Sequence, residues 1–221
     1  MIIQDENFDF LEIQDSEINN LINKKFVVAL DFDGVITSPH SLKAKYINDL
    51  GYNLSPNQAD KEICINLGVK KEDYSKGSIK AYTEDPAKLP VENLFFENFN
   101  NINLMPNVKT FIISSRYGAM MQHLHDFLKF YKIKVSGIIN VNGGNKITGL
   151  RKINPEIFIE DSLEKIENVL KELKTTEPLS KCIFVFYRNI GNSLVQNKNN
   201  ILERDNWNDI YQLVKNKNAH L

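Results

Sequence analysis

The chain has 221 residues, with 27 basic against 28 acidic side chains and 42% apolar residues, which fits one globular domain carrying a sizeable insertion and excludes a multidomain machine. A net charge of −1 and few arginines, Arg116, Arg151, Arg188 and Arg204, argue against an extended nucleic-acid surface, because such affinity comes from many neutralised phosphates. The strongest apolar runs, 26–30 and 182–187, fall far short of the roughly 20 residues a membrane-spanning helix needs, and the acidic N-terminus lacks a signal-peptide pattern, so no membrane partner and a cytoplasmic location are expected.

Residues 1–25 carry a weak apolar stripe at Ile18, Leu21 and Ile22, which predicts a short helix covering a sheet. The first strand follows at 26–30, and four more β-branched or aromatic runs come at 109–114, 135–141, 156–160 and 182–187. Helix-like stretches or turn clusters separate them, which favours a parallel sheet. The gap after the first run is far longer than a βαβ crossover requires and reads as an insertion. Within it, Ser55-Pro56-Asn57-Gln58 reads as a helix start with Gly68 as its stop, and further helical pieces are expected around 42–50 and 90–99. The expected crossover helices are 117–131, with apolar Met120, Met121, Leu124, Phe127, Leu128 and Tyr131, and 162–173, with Ile166, Val169, Leu170 and Leu173. Near the end, a short strand or turn precedes a helix starting near Asp205 or Asn206 and burying Trp207, Ile210 and Leu213. The expected fold is α/β: a Rossmann-like parallel sheet core with helices on both faces, formed by 1–38 and 102–221, and a helical cap over 39–101 inserted after the first strand as a lid. Cys64 and Cys182 lack metal or redox spacing and read as buried thiols.

The first strand runs straight into Asp31-Phe32-Asp33-Gly34-Val35-Ile36, which places two carboxylates where ligands bind in open α/β sheets. Gly34 permits the sharp departure that exposes them. An Asp-rich turn with no chemistry is the competing reading; an EF-hand loop fits poorly after an apolar strand. The second strand ends in Ser114-Ser115-Arg116 and the fourth in Glu160-Asp161-Ser162, and Lys146 lies between them at the start of a short helix-like stretch. Acid, hydroxyl, lysine and acid thus meet one sheet edge in that order.

These four motifs, Asp31-Phe32-Asp33-Gly34-Val35, Ser114, Lys146 and Glu160-Asp161, resemble those of the haloacid dehalogenase-like (HAD) hydrolase superfamily from Phe26 to about Tyr187. The insertion matches the position of that superfamily's helical cap. Ile113-Ser114-Ser115-Arg116, the spacing from Lys146 to Glu160-Asp161, and the late Asn-rich loop before Trp207 look like the nucleotidase-like branch that includes 5′(3′)-deoxyribonucleotidases. The resemblance implies a phosphomonoesterase acting on a small phosphorylated substrate through an aspartyl-phosphate. Asp31 would be the nucleophile and Asp33 the acid and base. Mg²⁺ would be held by Asp31, Asp161 and the Asp33 backbone carbonyl, with Glu160 in support. Ser114 and Lys146 would hold the phosphoryl oxygens. Lys152 competes with Lys146, and Gly149, awkward in a helix, keeps that choice open. Substrate contacts fall to Gly34, Ser115 and Arg116; a surface salt bridge is the rival role for Arg116. Phe95, Phe96 and Phe99 either stack on a base or bury a helix stripe. His40, His123, His125 and His220 form no metal-like cluster and read as bystanders, with His40 a hinge or pocket residue. The alternatives are a nucleic-acid 3′-end phosphatase and a non-catalytic phosphate-binding or regulatory protein on the same scaffold.

Overall fold

In the computed structural model, which describes residues 15–23, 25–197 and 201–219, the apolar runs become strands β1 (Phe26–Leu30), β2 (Val108–Ser114), β3 (Gly137–Asn140), β4 (Ile157–Glu160) and β5 (Ile183–Tyr187), with β6 (Leu202–Arg204) added at the edge. Every neighbouring pair is parallel, in the order β3-β2-β1-β4-β5-β6. The described helices are α1 (Asp15–Ile22), α2 (His40–Asn48), α3 (Lys61–Asn66), α4 (Lys71–Tyr82), α5 (Phe95–Asn103), α6 (Ala119–Phe130), α7 (Ile147–Ile153), α8 (Leu163–Glu172) and α9 (Trp207–Asn218). None is long and apolar enough to cross a membrane.

The strands read as unbroken apolar runs because both sheet faces are covered. Side chains alternate between the faces. Val28, Leu30, Ile112, Ile159 and Val185 join α5, α6 and α9 in one cluster. Val27, Ala29, Phe111, Phe158 and Phe186 join α1, α7 and α8 in the other. Ile18 is buried in that second cluster, with Leu21 and Ile22 packed against it, which is the expected covering helix. In α9 the buried positions are Trp207, Ile210 and Val214, and Leu213 is only partly covered.

The insertion carries its own small core of Ala44, Ile47, Leu54, Ala59, Cys64 and Val69. Its chain crosses to and from the sheet through two paired segments, where Ser38 N–H donates to Pro90 O (2.8 Å) and Glu92 N–H to Ile36 O (2.9 Å). Beyond them α5 packs on α9 and β2, and Phe95 and Phe99 are buried against Trp207; their place in the main core is the packed-stripe arrangement. The helix expected from Ser55 is in fact two pieces. Residues Pro56–Gln58 make a 3₁₀ turn with a Ser55–Gln58 capping box, then Asp60 caps α3 by accepting from the Glu62 and Ile63 N–H groups. Asp is a strong N-cap that restarts the helix there. Helix α4 was not foreseen, because it buries only Gly77, Ser78 and Ala81 and so shows no apolar stripe. Small residues let it approach α2 closely: a Cβ on Gly77 would stand 2.5 Å from Ile47 Cγ1.

Candidate active site

The carboxyl ends of β1, β2 and β4 lie side by side, with β1 in the middle. The chain turns from β1 towards β2 and returns on the other side as β4, which makes this edge the switch point of the sheet. Asp31 follows β1 directly and Glu160 ends β4. The two strands are in register up to Leu30 and Ile159, and Asp31 N–H donates to Ile159 O at 2.8 Å. Oxygens of Asp31, Glu160 and Asp161 lie within 4.8 Å of one another, with no His or Cys in the group.

Two lysines hold this cluster. Lys146 caps the start of α7 and its Nζ lies 2.7 Å from Asp31 Oδ2 and 2.6 Å from Glu160 Oε2. Lys165, in the first turn of α8, reaches Asp31 Oδ2 at 2.9 Å and Glu160 Oε1 at 3.3 Å. Burial works to raise the Asp31 carboxyl, but the Lys146 and Lys165 ammoniums outweigh it and hold Asp31 below the usual carboxylate range. Glu160 moves the other way, pushed up by burial and then by the Asp31 charge. Asp161 is also pushed up, again by burial first.

The geometry decides between the candidate lysines. Lys146 is buried at the cluster, while Lys152 is exposed on the last turn of α7. Gly149 is tolerated inside that helix because its Cα side faces β2 and β3 closely: a Cβ would meet Ile139 and Val141 at 3.1 Å.

Gly34 sits at φ +80°, and a Cβ there would overlap the Asp161 carboxylate. Only glycine fits both the backbone and the space. Asn189 Nδ2 donates to Gly34 O at 2.8 Å and to Asp161 Oδ2 at 3.4 Å, and Asn192 Nδ2 donates to Asp161 O at 2.8 Å. Trp207 Nε1 ties the same turn to α9 by donating to Val35 O at 2.9 Å.

Ser114 is buried, and its Oγ accepts from Arg116 N–H at 3.2 Å. Ser115 lines the neighbouring cleft. The Asp33 carboxylate turns away from the acidic cluster towards Arg116, whose Nε and Nη2 donate to it at 3.1 and 2.6 Å. Nη1 of Arg116 donates to Tyr82 O and Met120 O. Arg116 therefore spends its fork on Asp33 and on backbone carbonyls, in a buried position, and is not a surface salt bridge. Among the histidines, His40 is buried with neither ring nitrogen hydrogen-bonded, and its ring lies where a Cβ on Gly191 would fall; His123 and His125 sit on α6. His220 lies outside the described residues. Cys64 and Cys182 are buried and free.

Sequence reasoning missed Lys165, Asn189, Asn192 and Lys43. The Asn189–Asn192 spacing carried a readable signal, since the two form a capping box around Ile190–Asn192. A cleft of about 1230 Å³ opens beside the cluster, lined from the core by Asp33, Ser115, Arg116, Asp161 and Lys165 and from the insertion by Lys43, Tyr74 and Tyr82.

No protein-family model matches the sequence, and no curated protein matches it. Solved structures do. A HAD-superfamily hydrolase from Ehrlichia chaffeensis aligns at 14% identity over 87% of this chain and 97% of its own, with a TM-score of 0.53. This chain has the HAD-like fold. A predicted phosphatase from Clostridium acetobutylicum aligns at 13% identity, TM-score 0.57, over 87% and 99% of the two chains. A predicted phosphoglycolate phosphatase from Haemophilus somnus aligns at 12%, TM-score 0.56, with the same coverage. At these identities the likeness is one of HAD-like fold, and chemistry must be argued from the site.

Proposed function

We propose that this chain is a Mg²⁺-dependent phosphomonoesterase that acts on a small phosphorylated metabolite through an aspartyl-phosphate. The observation that carries this reading is the meeting of Asp31 with Asp161, Glu160 and Lys146 at one sheet edge beside Ser114. Burying Asp31 and Glu160 there, with Asp161 half-buried beside them, has no stability rationale, whereas a nucleophile for phosphorus needs this company. The Ile113-Ser114-Ser115-Arg116 pattern keeps nucleotides among the substrates to be tested, and the phosphatase descriptions of the similar structures support the reaction class.

In the proposed first step an Asp31 carboxylate oxygen attacks phosphorus and the ester P–O bond breaks. Asp33 passes its proton to the departing alkoxide. In the second step Asp33 takes a proton from water, whose oxygen forms the new bond to phosphorus as the bond to Asp31 breaks, releasing phosphate and restoring the Asp31 carboxylate and the protonated Asp33 acid. Asp33 must first rotate out of the Arg116 fork. Ser114 donates to a phosphoryl oxygen, and Lys146 offsets charge on the equatorial oxygens and on Asp31. An all-oxygen donor set suits a hard divalent ion. Asp31, Asp161 and the Asp33 carbonyl would hold Mg²⁺, with Glu160 alongside, and it would screen the repulsion between carboxylate and phosphate. The insertion acts as a lid over the cleft.

The test is a panel of nucleotides, sugar phosphates and phosphorylated acids, run with wild type and Asp31→Asn. Phosphate release is expected from wild type and lost by a factor of at least about 10³ in the variant, as for other nucleophile deletions. The fold should persist, because Lys146 keeps Glu160 as a partner. No release from any member by folded wild type with Mg²⁺ present would leave a phosphate-binding protein, and release confined to a 3′-phosphorylated oligonucleotide would point to end-processing.

A further inference from the structure

Helices α2 and α4 cross where Gly77 meets Ile47, and on the cleft side of that crossing they present polar groups that the insertion's own packing does not use. Lys43 is only 5% exposed and makes no ion pair with a described residue. Its Nζ stands 4.9 Å from the centroid of the Tyr82 ring. One turn before Tyr82, the Ser78 hydroxyl is equally buried and has no hydrogen-bond partner at all. Tyr74, a turn earlier again, lines the same cleft.

An ammonium removed from water without a contacting carboxylate, and a buried hydroxyl left unsatisfied, each cost stability. Asp161 attracts Lys43 without contacting it and is already engaged by Asn189. Two such groups lining one cleft wall make sense when something entering the cleft completes them. What completes an ammonium and a hydroxyl donor is an anion.

The position says which anion. The Tyr82 ring lies between the two halves of the cleft: Lys43 stands over it from the insertion, and the Arg116 guanidinium lies 5.4 Å from its centroid on the core side. Arg116 in turn grips Asp33, the residue assigned above to the leaving alcohol. We propose that Lys43 and Ser78, with the tyrosine hydroxyls of α4, form an anion subsite for a second negatively charged group carried on the alcohol part of the substrate, a carboxylate or a second phosphate. The inference rests on the phosphomonoesterase reading and narrows it from phosphate esters at large to doubly anionic ones.

The experiment measures binding apart from turnover. Full-length Asp31→Asn with Mg²⁺ is titrated calorimetrically with phosphate esters ending in a carboxylate (2-phosphoglycolate, 3-phosphoglycerate), in a second phosphate (ethylene glycol bisphosphate) or in a methyl group (ethyl phosphate). Charged ends should bind at least tenfold more tightly than ethyl phosphate, and whichever charged series binds better identifies the anion. Adding Lys43→Met should bring that series down to the ethyl phosphate level, and adding Ser78→Ala should lower it about threefold. Ser78→Ala removes only an unpartnered hydroxyl, so its fold is secure even should Lys43→Met misfold. Equal binding of charged and uncharged ends, or a loss in Lys43→Met that is the same for every ester, overturns the subsite. Phosphate release from ethyl phosphate by wild type tests the hydrolase reading separately: release without discrimination refutes the subsite alone, and discrimination without release refutes the hydrolase alone.

Discussion

Lys146 and Lys165 bind the same two carboxylates from different surroundings. The Lys146 side chain is 1% exposed and that of Lys165 is 41% exposed. Removing the first leaves the buried Asp31 and Glu160 facing each other with one exposed counter-charge, and loss of one partner from a buried ion pair costs about 3–5 kcal/mol. The second can exchange its contacts for water, where such pairs contribute about 1 kcal/mol or less. Urea unfolding should therefore show a large loss of stability for Lys146→Met and a small one for Lys165→Met. Equal losses would mean that exposure does not govern the cluster. The same contrast explains what could be read from the residues. Asp31, Ser114, Glu160 and Asp161 each follow or end an apolar run, so periodicity alone put them on one edge, and Lys146 was recognisable from its place before a helix. Lys165 was not, since a lysine in an amphipathic helix is normally solvated. It reaches the site because Ser162 starts α8 at once, accepting from Lys165 N–H, and turns that side chain back over Asp31. Lys43 was hidden for a similar reason: a helical lysine in an insertion gives no sign of burial until the partner helix is known.

At the scale of elements, the strands and most helices were legible because a two-sided sheet forces continuous apolar runs and amphipathic helices force spaced ones. Helix α4 escaped for want of either signal, through its small-residue contact face, and the segment before α9 read only as a short strand or turn because β6 has three residues, with intermediate burial throughout. The paired segments joining sheet and insertion were equally silent, yet they hold a titratable device. Glu92 sits there with its backbone fixed to Ile36, and one of its side-chain oxygens is buried without a partner. Burial, helped by the Asp161 charge and opposed by hydrogen bonds from Ser38 and Tyr187, pushes its carboxyl up to about 7. The folded chain thus keeps a proton that the unfolded chain releases near pH 4.5. Its stabilisation is complete below that value and is lost as pH rises through about 7. The full span is worth up to about 3 kcal/mol. Glu92→Gln, neutral at every pH, should match wild type at pH 5 and exceed it at pH 8 in chemical unfolding. Parallel stability curves for the two proteins would show that Glu92 ionises without penalty.

The whole molecule is two cores of unequal size joined by that crossing. The sheet clusters run through six strands and six helices, whereas the insertion is held by six buried apolar residues with Tyr52 and Tyr74 packed around them. Small cores supply little free energy, so the insertion draws part of its order from docking: residues Pro56–Gln58 against Ile190–Asn192, His40 on Gly191, and Arg116 donating to the Tyr82 carbonyl. Ile47 lies at the centre of the small core, fully buried against Gly77. Ile47→Ala should cost about 2–5 kcal/mol, comparable with everything that keeps the insertion folded. The loss should therefore appear as local opening. Amide exchange should accelerate across residues 40–82 while the amides of β1, β2 and β4 keep their protection, and turnover should fall although Asp31, Glu160 and Lys146 are untouched. That fall would follow from losing the wall that carries Lys43 and Tyr82. Uniform acceleration across sheet and insertion would show one cooperative unit, in which the lid cannot open without unfolding the site it covers.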